Sequence, residues 1–234
     1  MKNPLDSAAP KVDMATFLAS SAHDMKNSIS LLIRGLEGIL GSVDRTAFPA
    51  YDDLAQMTYE AKRVNSNLIQ LLTLYKIGEH IYPFDARPVV LADFVGLVAA
   101  QSNELLKSQG VTLESTAESE LYWDFDEDLV TGVIGNAFNN AIHYTKDRVR
   151  LSAAQVDGCL ELRIEDNGSG YPKHMLDECA DCMRGVDFAA GSTGLGLYFS
   201  AIVARMHRQG ERCGEIRLEN GGTLGGGCFI LRLP

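Results

Sequence analysis

The sequence has no apolar run approaching the ~20 residues that a membrane-spanning helix requires, and the segment from Met1 to Pro10 lacks the basic and apolar parts of a secretory signal. Positive charge is also scarce, because 21 Lys and Arg stand against 31 Asp and Glu, for a formal net charge of −10. Binding to a nucleic-acid backbone needs a basic face, and no helical pattern here provides one. We therefore expect a cytoplasmic protein that binds neither nucleic acid nor membrane.

Cysteine is sparse as well, with five residues in 234. An odd number without a small secreted scaffold argues against a disulfide framework. Cys179 and Cys182 form one C-x-x-C pair, but a structural zinc usually takes four ligands and no second pair follows at a suitable spacing. We interpret these two residues as free thiols in a loop.

Two segments near the N-terminus carry apolar residues at alternating spacings of three and four, which predicts two long packed helices, Val12 to Leu40 and a second one ending near Gly78. The two apolar stripes consist of Ala15, Leu18, Ala22, Met25, Ile29, Leu32, Leu36 and Ile39, and of Leu54, Met57, Ala61, Val64, Leu68, Leu71, Tyr75 and Gly78. A loop containing Pro49 joins the helices as an antiparallel hairpin. Because one hairpin leaves much of both stripes in water, we expect a homodimer with a four-helix bundle. A monomeric hairpin packed on its own second domain is the alternative.

His23 follows the stripe residue Ala22, so its imidazole should project beside the bundle core. A lone helical His is by default an ordinary surface residue. Its neighbours favour a phosphoacceptor instead, because the carboxylate of Asp24 can hydrogen-bond one ring nitrogen, fix the tautomer and raise nucleophilicity. Asn27 lies one turn further on the same face, where its amide can orient a water molecule.

From Tyr82 the pattern becomes mixed α/β, so we divide the chain into a hairpin domain, 1–80, and a second domain, 81–234. The expected elements are an extended Phe84–Val90, a helix Ala92–Gln109, short strands Val111–Glu114 and Leu121–Trp123, a helix with its N-cap at Asp126, strands Val149–Val156 and Cys159–Ile164, and a helix Tyr198 to Met206. The fold class is therefore α+β.

The helix that starts at Asp126 carries polar side chains on one face, at spacings of three and four: Asn136, Asn139, Asn140 and His143. Amide oxygens are hard neutral ligands of the kind that Mg²⁺ accepts beside water and phosphate. This face is therefore a candidate magnesium and nucleotide site.

Two glycine-rich strings follow this helix. The first begins with Glu165 and Asp166 at the end of a strand, where a carboxylate can accept a hydrogen bond from an adenine amino group, and Gly168 and Gly170 let the chain pass close to the base. The second, Gly191 to Leu197, precedes an apolar helix, so its backbone amides and the helix N-terminus can face phosphates. Neither string fits the phosphate-loop or the dinucleotide fingerprint.

In this order and spacing, the motifs resemble those of the sensor histidine kinases of two-component signalling, over nearly the full length of the chain. The matching segments are His23 to Asn27 (HDMKN, the H-box), Asn136 to Thr145 (the N-box), Asp166 to Gly170 and Gly191 to Leu197 (the two glycine boxes), and Gly225 to Pro234 (the last strand of the ATPase domain).

The resemblance implies that the second domain is a GHKL α/β sandwich that binds ATP and Mg²⁺. By this resemblance Asn140 is the magnesium ligand, Asn136 is its neighbour, Asp166 reads adenine and Tyr144 lies against the base. The residues that line the nucleotide are by the same resemblance His143, Gly168, Gly170, Gly194, Leu195 and Gly196. Lys173 and Arg184 are candidate phosphate contacts in the lid between the glycine boxes.

The implied activity is autophosphorylation of His23, transfer of the phosphoryl group to an aspartate of a response-regulator receiver, and a phosphatase role for Asn27. The dozen or so residues before the first helix leave no room for a sensor domain, so a separate sensor protein is a further expected partner. One alternative is a phosphotransfer adaptor with a degenerate ATPase domain, favoured by the short lid and His143. Another is a serine kinase of the anti-sigma type, in which the hairpin with His23 would have no role.

Overall fold

The structure, a computed structural model, describes residues 14–182 and 194–234. Two compact units meet in sequence between Tyr82 and Pro83. The first unit is helical and the second combines helices with a sheet, which confirms the α+β fold class. Within the described residues, no helix combines the length and the apolar character needed to cross a membrane.

The first unit consists of two long helices, α1 (Met14–Ser42) and α2 (Tyr51–Gly78), which pack on each other. The short connection 43–50 makes them antiparallel neighbours, and an ion pair of 2.7 Å joins Lys62 Nζ on α2 to Glu37 Oε1 on α1. The helical hairpin predicted from the two stripes is therefore present.

Packing within this hairpin buries only part of the predicted stripes. Its buried side chains are Ala22, Ile33, Thr58 and Gln70. Large apolar side chains of both helices stay between 44% and 65% exposed: Met25, Leu31, Leu32, Ile39, Met57, Val64, Ile69 and Leu71. Ile33, Thr58 and Gln70 do not belong to the stripes that we assigned from the sequence, whereas stripe residues such as Ile29, Leu36 and Leu68 are half-buried.

The second unit contains thirteen described helices and strands between residues 87 and 233. In chain order they are β1 (Arg87–Val90), α3 (Leu91–Ser108), β2 (Thr112–Ala117), β3 (Tyr122–Phe125), α4 (Glu127–Tyr144), β4 (Arg148–Val156), β5 (Cys159–Asp166), α5 (Lys173–Cys182), α6 (Gly194–Met206), then the hairpin strands β6 (Arg208–Gln209) and β7 (Arg212–Cys213), β8 (Glu215–Asn220) and β9 (Gly227–Leu233).

The main sheet of this unit has five strands in the order β2-β4-β5-β9-β8. The β2–β4 pair is parallel and the other pairs are antiparallel, with Leu151 opposite Ile164 and Ile164 opposite Phe229. Helices α3, α4 and α6 pack against the sheet. The core between these layers includes Val130, Val133, Ile134, Leu151, Leu160, Leu162 and Leu231, all fully buried. Two small antiparallel pairs, β1–β3 and β6–β7, complete the unit.

Local sequence signals located some elements and missed others. Asp126 caps α4 as predicted, because its Oδ1 accepts a hydrogen bond of 3.0 Å from the Leu129 N–H. The loop expected around Cys179 and Cys182 is wrong, since both lie in α5. That helix starts directly after Pro172 and turns Met175 and Cys179 inward, where both are buried.

Candidate functional site

Asp166, the last residue of β5, lies in a recess that the backbone of three glycines approaches closely. The residue is only 2% exposed, and the Gly168 N–H donates a hydrogen bond of 2.7 Å to its Oδ1. A Cβ on Gly226 would lie 2.4 Å from the same oxygen, and one on Gly227 would lie 2.8 Å from Oδ2. We call Asp166 with these three glycines the Asp166 recess. It keeps a carboxylate away from water at a point where the backbone approaches very closely.

The first glycine string touches the end of α4 and the end of β8. A Cβ on Gly168 would lie 1.8 Å from the Tyr144 carbonyl oxygen, so only glycine allows this approach. Gly170 has a φ of +79°. Beyond it, the Asn220 amide accepts a hydrogen bond of 2.6 Å from the Tyr171 N–H and donates one of 2.9 Å to the Tyr171 carbonyl. No pattern in the sequence predicts this clamp by Asn220.

Asn167 joins the same string to the turn after α4. Its Oδ1 accepts hydrogen bonds of 3.0 to 3.3 Å from the Thr145 hydroxyl and from the N–H groups of Lys146, Asp147 and Arg148. Its Nδ2 donates a bond of 2.7 Å to Asp147 Oδ1. One amide therefore fixes the end of the N-box helix relative to Asp166. Asn167 lies within the first glycine box, but the sequence predicts no role for its side chain.

Aromatic and sulfur-containing side chains flank the recess. The half-buried Tyr144 donates from its hydroxyl to Met175 Sδ at 3.8 Å, and its ring centroid is 6.4 Å from that of Tyr171. Burial raises the pKa of the Tyr171 phenol well above its usual range, so this ring is neutral. His143 packs edge-on against Tyr144 at 5.1 Å but is itself exposed. The recess thus opens between a carboxylate and apolar ring surfaces.

The amide residues of α4 lie near the start of α6. Asn136 Nδ2 donates a hydrogen bond of 3.3 Å to the Gly196 carbonyl, which also accepts one of 2.8 Å from the Ser200 hydroxyl. Asn140 is half-buried, and its side chain forms no hydrogen bond with any residue in 14–182 or 194–234. Helix α6 begins at Gly194, followed by a half-buried Leu195.

Some sequence-based expectations fall where the structure gives no description. The lid residue Arg184 and the first part of the second glycine box, 191–193, lie outside the described residues. Lys173, the other candidate phosphate contact, is exposed in the first turn of α5. Among the residues that are described, no three His, Cys, Asp or Glu side chains cluster as a metal centre.

His23 and Asn27, the first and last residues of the H-box, share an exposed face of α1. The side chain of His23 is 62% exposed, and both of its polar neighbours approach the same ring nitrogen. Asn27 Nδ2 lies 3.4 Å from Nδ1, and Asp24 Oδ1 lies 3.8 Å from it. The exposure agrees with the expectation that the imidazole projects beside the bundle core. The second ring nitrogen, Nε2, has no described partner.

We predict that Asn167→Ala loosens the turn 145–148 without unfolding the second unit. The three N–H groups lose their shared acceptor but can bond water at this exposed turn, so the expected loss of stability is about 1 kcal/mol. Hydrogen exchange should accelerate at Lys146, Asp147 and Arg148. The control is Ser169→Ala, since Ser169 is exposed in the same string. Native exchange rates in the Asn167 variant would contradict the role that we assign to this amide.

Comparisons with known proteins agree with this architecture. Residues 125–234 match the family of histidine kinase-, DNA gyrase B-, and HSP90-like ATPases. The sensor protein SrrB of Staphylococcus aureus (strain N315) is 24% identical over 225 residues. The alignment covers 93% of this chain and 37% of SrrB, so the chain spans little more than a third of that relative.

Two solved structures share the fold. The Acinetobacter baumannii histidine kinase AdeS gives a TM-score of 0.58 at 20% identity and covers 90% of this chain and 96% of its own. Full-length ShkA in complex with AMPPNP gives a TM-score of 0.63 at 19% identity, over 94% of this chain and 46% of its own. Together with the family match, they confirm the predicted helical segment followed by a GHKL-type sheet. The chain carries a GHKL-type ATPase domain at residues 125–234 and is homologous to the sensor histidine kinases.

Proposed function

We propose that the chain is an ATP-dependent protein histidine kinase that phosphorylates His23 and passes the phosphoryl group to an aspartate on a response-regulator receiver. The observation that carries this proposal is the buried Asp166 carboxylate in its glycine-lined recess, because such a group recognises a planar base with an exocyclic amino group. Homology to sensor histidine kinases supports the phosphoacceptor role of His23.

Adenine would be held at the Asp166 recess. Gly168 N–H occupies Asp166 Oδ1, which leaves Oδ2 to accept from the adenine amino group. The rings of Tyr144 and Tyr171 supply apolar surface beside the carboxylate. Gly170 keeps the chain close to the site in a conformation that other residues rarely adopt.

The polar groups of α4 and α6 suit the triphosphate and its cation. Asn140 fits a magnesium ligand because its half-buried amide has no hydrogen-bond partner in the described part of the chain. Asn136 supports the position of Gly196, and the N-terminal turn of α6 directs N–H groups towards an anion. Mg²⁺ bound at Asn140 would neutralise the charge that develops on the phosphate oxygens during transfer. His143 would contribute a positive charge only when protonated.

The chemistry at His23 depends on which ring nitrogen carries the proton. With the proton on Nδ1, facing the Asp24 carboxylate, the Nε2 lone pair attacks the γ-phosphorus. The bond from that phosphorus to the bridging oxygen breaks, ADP leaves, and the proton stays on Nδ1. Asn27 acts in the opposite sense, because an amide N–H donated to Nδ1 leaves the proton on Nε2 and blocks attack.

Asn27 also suits the proposed phosphatase reaction, in which the aspartyl phosphate of the regulator is hydrolysed. Its exposed amide lies one turn from the phosphoacceptor, where it can orient a water molecule against the aspartyl phosphate of the regulator. The proposed phosphatase activity therefore uses Asn27, whereas the proposed kinase activity uses His23 and Asp24.

The proposed assembly is a homodimer. The exposed apolar residues on both helices of the hairpin leave a large surface in water, and a second hairpin would cover it as a four-helix bundle. A receiver domain and a separate sensor protein are the proposed partners of this dimer.

For Asp166→Asn we predict at least about tenfold weaker ATP binding with the fold intact. The amide can still accept from the Gly168 N–H but presents a donor where adenine needs an acceptor, and a hydrogen bond to a charged group is worth about 1.5–3 kcal/mol. Calorimetry in the presence of Mg²⁺ measures the affinity. The matched control is Asp157→Asn, since Asp157 is an exposed turn residue whose φ of +51° suits asparagine. If the native chain bound no ATP, the degenerate adaptor would become the better interpretation.

His23→Gln should abolish autophosphorylation and leave ATP affinity unchanged, because the nucleophile and the nucleotide site belong to different units. Transfer from γ-labelled ATP measures the reaction, and a label on His should be lost in acid and retained in base. Arg34→Gln, also exposed on α1, serves as the control and should label normally. Undiminished labelling of the His23 variant, or an acid-stable label that indicates a serine kinase, would contradict the assignment.

Replacing Leu32 and Leu71 by Glu should dissociate the proposed dimer. Burying each leucine contributes about 1.5–3 kcal/mol, so loss of both should raise the dissociation constant at least about 100-fold. Light scattering after gel filtration measures the mass. The control is Leu97→Glu on α3, since Leu97 is 50% exposed, as is Leu71. A native chain that is monomeric at micromolar concentration would contradict the dimer directly.

A further inference from the structure

A buried histidine far from the Asp166 recess connects the two helices that form the candidate nucleotide site. His207 directly follows α6 and is only 4% exposed. Its Nδ1 lies 2.8 Å from the Val203 carbonyl oxygen, which can only accept, so the proton is on Nδ1. Its Nε2 is then the acceptor for the Asp126 backbone N–H at 3.0 Å. The two bonds define one neutral tautomer.

The partner residue, Asp126, organises the start of α4. Its Oδ1 caps the helix through the Leu129 N–H, and its Oδ2 accepts a hydrogen bond of 3.1 Å from the Asp85 N–H. Asp126 is as buried as His207, at 4% exposure. One carboxylate and one imidazole thus join the end of α6, the start of α4 and the segment that opens the second unit.

Phe84 belongs to the same cluster. Its ring packs edge-on against His207, with centroids 5.1 Å apart and an interplanar angle of 73°. Residues 83–86 belong to neither helix nor strand. Their described ties to the rest of the unit include this ring contact and the Asp85 bond, and they follow the last residue of the first unit directly in the chain. A displacement at the start of the unit therefore acts first on His207 and Asp126.

The two helices carry that displacement towards the nucleotide residues. α4 has 18 residues and α6 has 13, so at 1.5 Å per residue they extend about 27 Å and about 20 Å from this joint. Asn136 and Asn140 lie along α4, and Gly196 lies at the far end of α6. Asn136 bonds Gly196 between the helices, so a rotation of either helix changes the spacing of the site.

We infer that His207 is a positioning residue for the proposed phosphoryl transfer: through Asp126 it sets the relative placement of α4 and α6, and thereby the affinity for nucleotide. This inference rests on the proposed function. His207 is too far along α6 to touch the nucleotide itself.

The protonation state of the His207 imidazole makes the proposed role depend on pH. Burial lowers the pKa of His207, so at neutral pH it is uncharged and accepts from Asp126. Protonation places a hydrogen on Nε2 and removes the acceptor, so the connection is lost as the pH falls below the lowered pKa. The Asp126 carboxylate opposes this effect by favouring the charged ring, and Asp124 and Arg208 line the adjoining cavity of about 350 Å³.

Three substitutions separate the roles of the ring. Gln at position 207 can still accept from the Asp126 N–H, Asn can donate to Val203 but cannot reach Asp126, and Phe keeps only the packing against Phe84. We expect the Asn and Phe variants to bind ATP about tenfold more weakly, the equivalent of one lost hydrogen bond, and His207→Gln to bind within about threefold of the native chain. As the pH is lowered from neutral through the lowered pKa of His207, the affinity of the Gln variant should fall less than that of the native chain.

Fluorescence of Trp123, the single tryptophan, monitors the fold of the second unit in every variant. Folded Asn and Phe variants with native affinity would overturn the inference, and so would an equal loss in all three variants. Hydrogen exchange without nucleotide separates this failure from failure of the proposed function. Even in a chain that binds no ATP, the Phe variant should exchange faster than the Gln variant around Asn136 and Gly196. Equal exchange there would also overturn the inference.

Discussion

A carboxylate that is buried at the end of a strand constrains everything around it. An ionised group removed from water costs several kcal/mol unless donors compensate, and at Asp166 the described donor is a backbone N–H. The chain must then approach so closely that a Cβ at 168, 226 or 227 would overlap its neighbours. The neighbouring Glu165, 3% exposed, is satisfied in the same way by the Thr223 N–H. Gly168 and the pair Gly226 and Gly227, nearly sixty residues apart in sequence, are thus needed for the same reason: the backbone must approach Asp166 closely.

Each of the two units is stabilised by different interactions. The second unit buries nearly all of its large side chains between a sheet and three helices, and its polar contacts join distant parts of the chain. Among its described side chains, the hairpin buries only Ala22, Ile33 and the polar Thr58 and Gln70. Buried polar groups in a helical bundle cost stability and can fix register. Within the described residues, the hairpin therefore has much the smaller core of the two units.

Patterns in the sequence predicted the structural features that depend on residues close together in the chain. The start of α4 at Asp126 and the turn between β4 and β5 follow from local rules of capping and turn formation. The missed features connect distant positions: the Asn220 clamp spans 49 residues and the His207 bond spans 81. No spacing rule reveals such a pair, because the partner is backbone.

The errors have equally specific causes. Helix α5 was assigned as a loop because it buries only Met175 and Cys179 among its described side chains, which is too few to produce a recognisable stripe. Pro172 directly before it was the available signal. The hairpin differs, because both faces of its helices carry apolar residues. Periodicity cannot decide which face packs on the other helix and which is left for a partner chain.

Net charge limits how this fold could hold a nucleotide. With a formal charge of −10, the chain repels a polyphosphate at long range. Arg163 and Arg232 do not offset this, because both pair with Glu161, at 3.2 and 3.8 Å. Binding of a triphosphate would then rest on short-range groups: backbone N–H groups at the start of α6, the amide of Asn140 and a divalent cation that neutralises the phosphates. The adenine recognition that we propose at Asp166 would add to these short-range contacts and so make up for weak phosphate attraction.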